Sequence, residues 1–583
     1  MVSGAHRPRR GSPLEIGQLP RSTAILVAML RMLLPLGALT LAACHLVVGL
    51  DEYRTRPGPA GGPGGGAATT SNSSAGGAAV TSGSANGGAG GDGGGATGPV
   101  IWASAFENAD AKAGPVVGLG DDFLVLGAAF EKTAAFSFLG DEHQFGAAYD
   151  GPSAYAAALS ATKTATPKVS GEAWSKSLGA TSTPIAAVAS RDGKKGYVAT
   201  LEATGGESQL RLREFTSGKP ASEPLLLAKA VTAVSMRGLQ LALSPNGKSV
   251  YVGFTFELGS VTYGLDLPTY KFAYAPMRSS ILVLKCDTHA ETPPTYAWGY
   301  GSDLAASSNG SGDELHGLAA TDQRVVLATQ IGSNYAGFGL TMQVFTSTKA
   351  LALISIGTVN GEAAYDKPTD SRVLQCPSGT PMGLEVRPVA MAPSAANDTD
   401  VLVAFRSTCA FKDTYSAGPM PSIDHKAIAA GTFGIASIAG ASLTGKFSSY
   451  ISLDTGHDSN DVGGTLTTLA RGPKATVLVG GQHVAGVWEL AGTTRKPMPA
   501  VPGTGTTRRG FIVPIKAAFA GLGAGISTTG MGSASVTSLS FYNGFLAFGG
   551  TTAGGAVTLL NAQLTSNGPA QFIAVATQDA IPQ

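Results

Sequence analysis

Short runs of β-forming residues broken by turn signals dominate the chain, and the clearest example is LQLALSPNGKSVYVGFTF from Leu239 to Phe256. Two apolar runs there flank Ser244-Pro245-Asn246-Gly247, which predicts a β-hairpin. The same outline starts again at Val116, Ile185, Leu315, Arg387, Thr465 and Val536. A small residue marks the middle of each second run: Gly127, Ala199, Gly253, Ala328, Ala404, Gly480 and Gly549, at intervals between 54 and 76 residues. Self-similarity at a nearly fixed period points to a repeat architecture.

Two further β-like runs follow each hairpin. The third runs include SILVLKCDT from Ser280, LTMQVFTST from Leu340 and AVTLLNAQLT from Ala556, and the fourth include YAWGYGS from Tyr296, LALISIGTV from Leu351 and QFIAVATQ from Gln571. Seven units of four short strands predict an all-β fold, a seven-bladed β-propeller of four-stranded blades. Each blade would span roughly 69 residues, more than compact propeller repeats use, so the excess belongs to loops. One run, VIWASAFE from Val100, has no hairpin before it. Its natural place is as a fourth strand against the last blade, pairing the two ends of the repeat region.

Of the 583 residues, 43% are hydrophobic and 14% charged, enough apolar material for a large core, and the net charge of +1 favours neither nucleic acid nor an acidic substrate. Thr23 to Ala43 is apolar apart from Arg31, follows several arginines and ends in Leu41-Ala42-Ala43-Cys44. That pattern reads as a signal peptide over residues 1–43. Leu-Ala-Ala-Cys resembles the lipobox of bacterial lipoproteins, which implies cleavage before Cys44 and acylation of its thiol. Residues 44–99 read as a lipidated N-terminus and a Gly/Ala/Ser-rich disordered linker, because 57–99 offers too little apolar surface to offset the entropy of ordering. A coil of that length reaches roughly 35 to 40 Å. The propeller then occupies residues 100–583.

The span from Val250 to Leu340 runs through SSILVLK, YAWGYGS, the acidic Gly-rich loop NGSGDELHG and VVLATQI to Phe338-Gly339. It is similar to repeats in secreted and lipoprotein β-propellers of myxobacteria and related bacteria. The match covers one and a half repeats well and is loose elsewhere. The resemblance implies a propeller in the cell envelope and little about activity.

No motif of a hydrolase, metalloprotease, phosphate-binding loop or redox thiol pair occurs, and no two of the eight histidines share ligand spacing. Loop carboxylates form two groups, Asp303, Asp313 and Glu314, and Asp454, Asp458 and Asp461 with His457. Oxygen clusters can hold calcium, but this spacing fits no EF-hand loop, so these residues read as solvated turns and no cofactor is expected. Loop length carries more information. The long insertions join second to third strands and hold Phe136, Phe138, Phe145, Tyr149, Tyr263, Tyr270, Tyr274, Phe411, Tyr415 and Trp488. Aromatics on one loop-rich face suit contact with a protein or glycan.

The sequence thus predicts a monomeric, membrane-anchored envelope lipoprotein whose propeller binds a protein or glycan partner through its long-loop face, with no nucleic acid involved. The rival reading is a polysaccharide hydrolase or lyase with paired carboxylates near the propeller axis. His45 after the lipidated cysteine favours the outer membrane as destination. In an oxidising envelope three thiols remain besides Cys44. Strand direction puts Cys376 and Cys409 at one face and Cys286 at the other, which predicts a Cys376–Cys409 disulfide and a free Cys286.

Overall fold

Described residues in the computed structural model lie between 100 and 581, and 145–152, 161–175, 264–278, 303–313, 332–349, 358–367, 377–384, 420–431, 456–463 and 498–506, with several shorter connections, fall outside them. All belong to the unit Ala78–Gln583. The architecture is all-β, built from antiparallel sheets whose core is four strands in a row.

Sheet 1 comprises Lys112–Leu119, Asp122–Ala129, Ser153–Ser160 and Lys176–Ala180. Sheet 2 comprises Ile185–Ala189, Lys195–Thr204, Glu207–Thr216 and Leu225–Val231. In sheet 3 the strands are Ser235–Leu243, Ser249–Glu257, Ser279–Asp287 and Thr295–Ser302. In sheet 4 they are Glu314–Ala320, Arg324–Ile331, Ala350–Gly357 and Pro368–Gln375. Sheet 5 follows with Val386–Pro393, Asp400–Ser407, Thr432–Ala439 and Ser449–Asp454. Sheet 6 has Thr465–Arg471, Val477–His483, Arg509–Ile515 and the short Ile526–Ser527. Sheet 7 takes three strands from the end of the chain, Ala534–Tyr542, Phe545–Thr552 and Ala570–Thr577, and its fourth from the start, Val100–Phe106, which pairs antiparallel with Ala570–Thr577.

First strands of successive sheets lie side by side, and that of sheet 7 also touches that of sheet 1. The backbone N–H groups of Val116 and Gly118 donate to Ser538 Oγ and Ser540 Oγ across this last contact, at 2.7 and 3.1 Å. Second strands are covered on both sides by neighbouring sheets. Ser249–Glu257 is buried along all but its last residue and Arg324–Ile331 along all but its first. Such strands are mostly apolar on both faces, which is why these two read in the sequence as nearly continuous hydrophobic runs, broken by Thr255 and by Thr329 and Gln330.

The small marker residues have a physical cause. In six of the sheets the first strand carries an irregularity in register midway along, as between Arg237 and Gln240, Leu466 and Thr468, and Val536 and Ser538. In five of the six the marker is the partner of the residue just past it, as Gln240 faces Gly253, Thr468 faces Gly480 and Ser538 faces Gly549, and in sheet 1 Gly127 faces Ala113, just before it. A bulge bends the strand toward the next sheet. A Cβ on Gly253 would lie 2.7 Å from Leu315 Cδ2, in the first strand of sheet 4. The position is small because the next sheet packs over it.

Behind the marker of sheet 7 the fit is tighter. A Cβ on Gly550 would lie 2.0 Å from the carbonyl oxygen of Ser535 and 2.5 Å from the Phe572 ring. Backbone cannot yield as a side-chain end can, so Gly550→Ala is expected to destabilise by about 1 to 3 kcal/mol. Gly568→Ala meets nothing within 4 Å and should stay within about 0.5 kcal/mol of the parent. Denaturant midpoints of the two variants check the pair.

Insertions between second and third strands reach back to the preceding sheet. Thr262–Tyr263, from sheet 3, hydrogen-bonds to the fourth strand of sheet 2. Lys412–Tyr415, from sheet 5, pairs with the fourth strand of sheet 4, and Trp488–Ala491, from sheet 6, with the fourth strand of sheet 5. From sheet 7, Gly555–Leu559 pairs with Thr529–Gly530 just after the fourth strand of sheet 6. Exposed edges are covered in this way.

Two strand assignments differ from the sequence reading. The run LALISIGTV, expected as a fourth strand, is the third strand of sheet 4, and the fourth is Pro368–Gln375, while LTMQVFTST lies outside the described residues. Likewise QFIAVATQ is the third strand of sheet 7, and AVTLLNAQLT folds as an outer hairpin, Gly555–Leu559 with Ala562–Ser566. Cys376 and Cys409 form a disulfide with Cα atoms 5.7 Å apart, and Cys286 is free and buried.

Candidate functional site: a central cavity and its charged mouth

The first strands of all seven sheets wall a central cavity of about 970 Å³. Its inner lining is apolar, with Val117, Leu241, Leu318, Met391 and Leu469 contributed by different sheets. The cavity opens where first strands turn into second strands. Those turns carry the charge, because a solvent-facing turn tolerates what a double-covered strand cannot.

Arg191, in the turn of sheet 2, forms an ion pair with Asp398, in the turn of sheet 5. Neither neighbouring sheet supplies the partner, so the pair spans the mouth. Arg191's hydrogen bond holds the Asp398 carboxyl below the usual carboxylate range. Arg471, at the end of the first strand of sheet 6, has its pKa lowered by burial and then by the nearby charge of Arg191. The Asp398 carboxylate, paired with Arg191, therefore also lies in the field of a second guanidinium, that of Arg471. Lys474, in the next turn, is exposed and lines the same cavity.

Asp192 is committed to its own turn. It accepts from Ser190 Oγ at 2.7 Å and from the Lys194 N–H at 3.1 Å, and the Ser190 bond leads the lowering of its pKa. Tyr542 reaches from sheet 7 to donate its hydroxyl to the Asp192 carbonyl at 2.8 Å. Its ring lies over two glycines: a Cβ on Gly118 or on Gly193 would fall 2.5 or 2.1 Å from it. Burial, then the Asp192 charge, raises the Tyr542 phenol.

A second depression, of about 1070 Å³, shares Ser190, Arg191 and Asp192 with the mouth and runs between sheets 2 and 3. Lys195 is bound to Glu214 at 2.7 Å, Lys285 to Asp287 at 2.9 Å, and Asp322 accepts the Asn246 N–H at 2.7 Å. Lys248 is exposed on its wall and has no carboxylate partner among the described residues.

Of the sequence-predicted aromatics, Tyr263 is placed with its side chain described. It corrects the expectation of a place on the binding face: it is 6% exposed and packs in the core between sheets 2 and 3, because the insertion carrying it adds a strand to sheet 2. Tyr415 and Trp488 sit in edge strands on sheets 4 and 5, and Phe136 and Phe138 in a hairpin with Asp141–Gln144. Phe145, Tyr149, Tyr270, Tyr274 and Phe411 lie outside the described residues. Among the loop carboxylates, Asp454 is buried in the fourth strand of sheet 5 and Glu314 pairs with Arg237, so neither is a solvated turn residue. Asp303, Asp313, Asp458, Asp461 and His457 fall outside the described residues.

No group of metal-ligating side chains occurs among the described residues. His483 is fully buried: the Gly486 N–H donates to its Nδ1 at 3.0 Å, leaving Nε2–H to donate to Ser527 Oγ at 2.7 Å. Burial, then the Arg509 charge, lowers its pKa to about 4. A neutral imidazole fixes the root of the sheet 6 insertion. The mouth arginines and Lys474 drew no attention in the sequence because single charged turn residues look alike until the fold collects them.

No protein-family model matches the chain, and no curated protein does. Among solved structures, the chain is similar to prolyl oligopeptidase B from Galerina marginata as the apo protein, with 9% identity, a TM-score of 0.28 and coverage of 65% of this chain and 47% of that one. The same enzyme bound to a 35mer substrate matches with 8% identity and a TM-score of 0.31 over 79% and 52% of the two chains. The β-propeller domain of Myceliophteria thermophila Cps50 (Swd1) matches with 7% identity and a TM-score of 0.25 over 67% and 95%. The chain spans about half the length of the prolyl oligopeptidase chains.

Proposed function

We propose that this chain is an envelope lipoprotein whose seven-bladed β-propeller, closed by strand Val100–Phe106, acts as a binding module for an envelope protein or glycan. Cys44 carries the lipid, residues 44–99 form the tether, and the outer membrane is the destination. The observation that carries the binding reading is the open central cavity with two arginines at its mouth. The described lining holds one carboxylate, Asp192, and Asp398 on the rim is engaged by Arg191. Paired acid and base carboxylates for glycoside cleavage have no counterpart in that described lining. Binding is assigned to the cavity-mouth face, since several long insertions on the opposite face are spent on clasping neighbouring sheets.

Two experiments test this. Cys44→Ser should abolish palmitate labelling and release the protein from the membrane fraction, and label that persists would overturn the anchor. A photocrosslinker at position 474 should capture an envelope component that one at position 387, at the other end of a first strand, does not. Equal capture at both positions would overturn the choice of face.

A further inference from the structure

Resting on that reading, we infer that the cavity mouth and the depression between sheets 2 and 3 form one trough that binds a carboxylate-bearing glycan, a polymer of uronate sugars. The two hollows share Ser190, Arg191 and Asp192 as lining. Most of the charge in the trough is internally matched. Asp192 faces Lys194, Asp287 faces Lys285, and Asp398 faces Arg191. What is left is mainly cationic: Arg471, Lys474 and Lys248 have no ion pair among the described residues and are all exposed, against one exposed carboxylate without an ion pair there, Asp322, which accepts the Asn246 N–H. The whole chain carries only +1, so this surplus is local to the trough.

The chemistry selects the ligand class. Arg191 already holds a carboxylate, that of Asp398, and Arg471 stands beside this pair with its own fork unfilled by any described carboxylate. A second carboxylate placed there balances the two guanidinium charges, in the planar two-point geometry arginine favours. Lys248 and Lys474 lie in different parts of the trough, which suits a linear polymer with a charge on each unit. A peptide is disfavoured because the turns lining the trough satisfy their own backbone. Ser190 N donates to Lys195 O, Gly193 N to Ser190 O, Ser244 N to Ser249 O and Gly247 N to Ser244 O. Among the described residues no free sheet edge is offered there for an added strand. The half-buried ring of Tyr542 at the mouth gives a sugar face an apolar surface to rest on.

The test is calorimetric titration of the purified full chain with a hexamer of galacturonate and with its fully methyl-esterified twin. The acid form is expected to bind and the ester not. Raising salt from about 50 to about 300 mM shortens the screening length from roughly 14 to roughly 6 Å and should weaken binding by about tenfold. Lys474→Glu and Lys248→Glu should each weaken it by about fivefold or more, and Arg387→Glu should leave it unchanged. Equal binding of acid and ester, indifference to both lysine variants, or capture of a glutamate oligomer in place of the uronate would overturn the inference. A crosslink from position 474 that the uronate does not displace sinks the glycan and leaves the binding module standing. Absence of both crosslink and uronate binding sinks both.

Discussion

Deleting residues 100–106 is expected to cost more stability than any single substitution in the chain, above about 4 kcal/mol, and to make the protein self-associate. The segment is the outer partner of Ala570–Thr577, with Ala103 opposite Ala574 and Phe106 opposite Gln571. Phe572, Ile573, Ala574, Val575 and Ala576 are all fully buried. Without the first strand this apolar strand becomes an open edge, which pairs with whatever chain it meets. Its loss also separates the two ends of the repeat region, which sheet 7 otherwise joins. Urea unfolding and light scattering check the result. A deletion variant with the parent's midpoint, remaining monomeric at micromolar concentration, would refute the proposal that this strand closes the ring.

Removing the Cys376–Cys409 bridge is the second large effect. The sequence separation of 33 residues corresponds to about 3 to 4 kcal/mol in the chain-entropy model. The bridge joins the end of the fourth strand of sheet 4 to the end of the second strand of sheet 5, and both sulfurs sit in the core between these sheets. Cys376→Ala with Cys409→Ala should lower the denaturant midpoint accordingly. Cys286→Ala should cost less, because it leaves only a small void. Burial raises the Cys286 thiol well above its ordinary range, so it should resist alkylation until the protein unfolds. Peptide mapping under non-reducing conditions that links Cys286 to either other cysteine would overturn this assignment.

The first and second strands were the legible part of the chain. Double-sided burial makes second strands such as Ser249–Glu257 predominantly apolar, and the bulge beside them demands a small partner such as Gly253. Outer strands carry no such constraint. Pro368–Gln375 begins Pro-Thr-Asp-Ser and does not announce itself, so the count in sheet 4 slipped by one strand. Ala556 to Leu559 looks like a core strand yet serves at the rim, which displaced the count in sheet 7. The cavity mouth was illegible for another reason. Arg191 and Asp398 meet only because sheets 2 and 5 face each other across the cavity, and no local pattern encodes that.

The backward reach of the insertions sets a timetable for the chain as it emerges N-terminus first. Sheet 2 has its four strands once Val231 is out, but its outer edge waits for Thr262–Tyr263. Sheet 4 waits for Lys412–Tyr415, and sheet 5 for Trp488–Ala491. Sheets 2, 4 and 5 are thus each finished by the repeat synthesised after them, so a product stalled before that repeat presents one raw edge at its growing end. That edge is where a holding chaperone would act, and the edge of sheet 7 is sealed by the earliest strand among the described residues, Val100–Phe106.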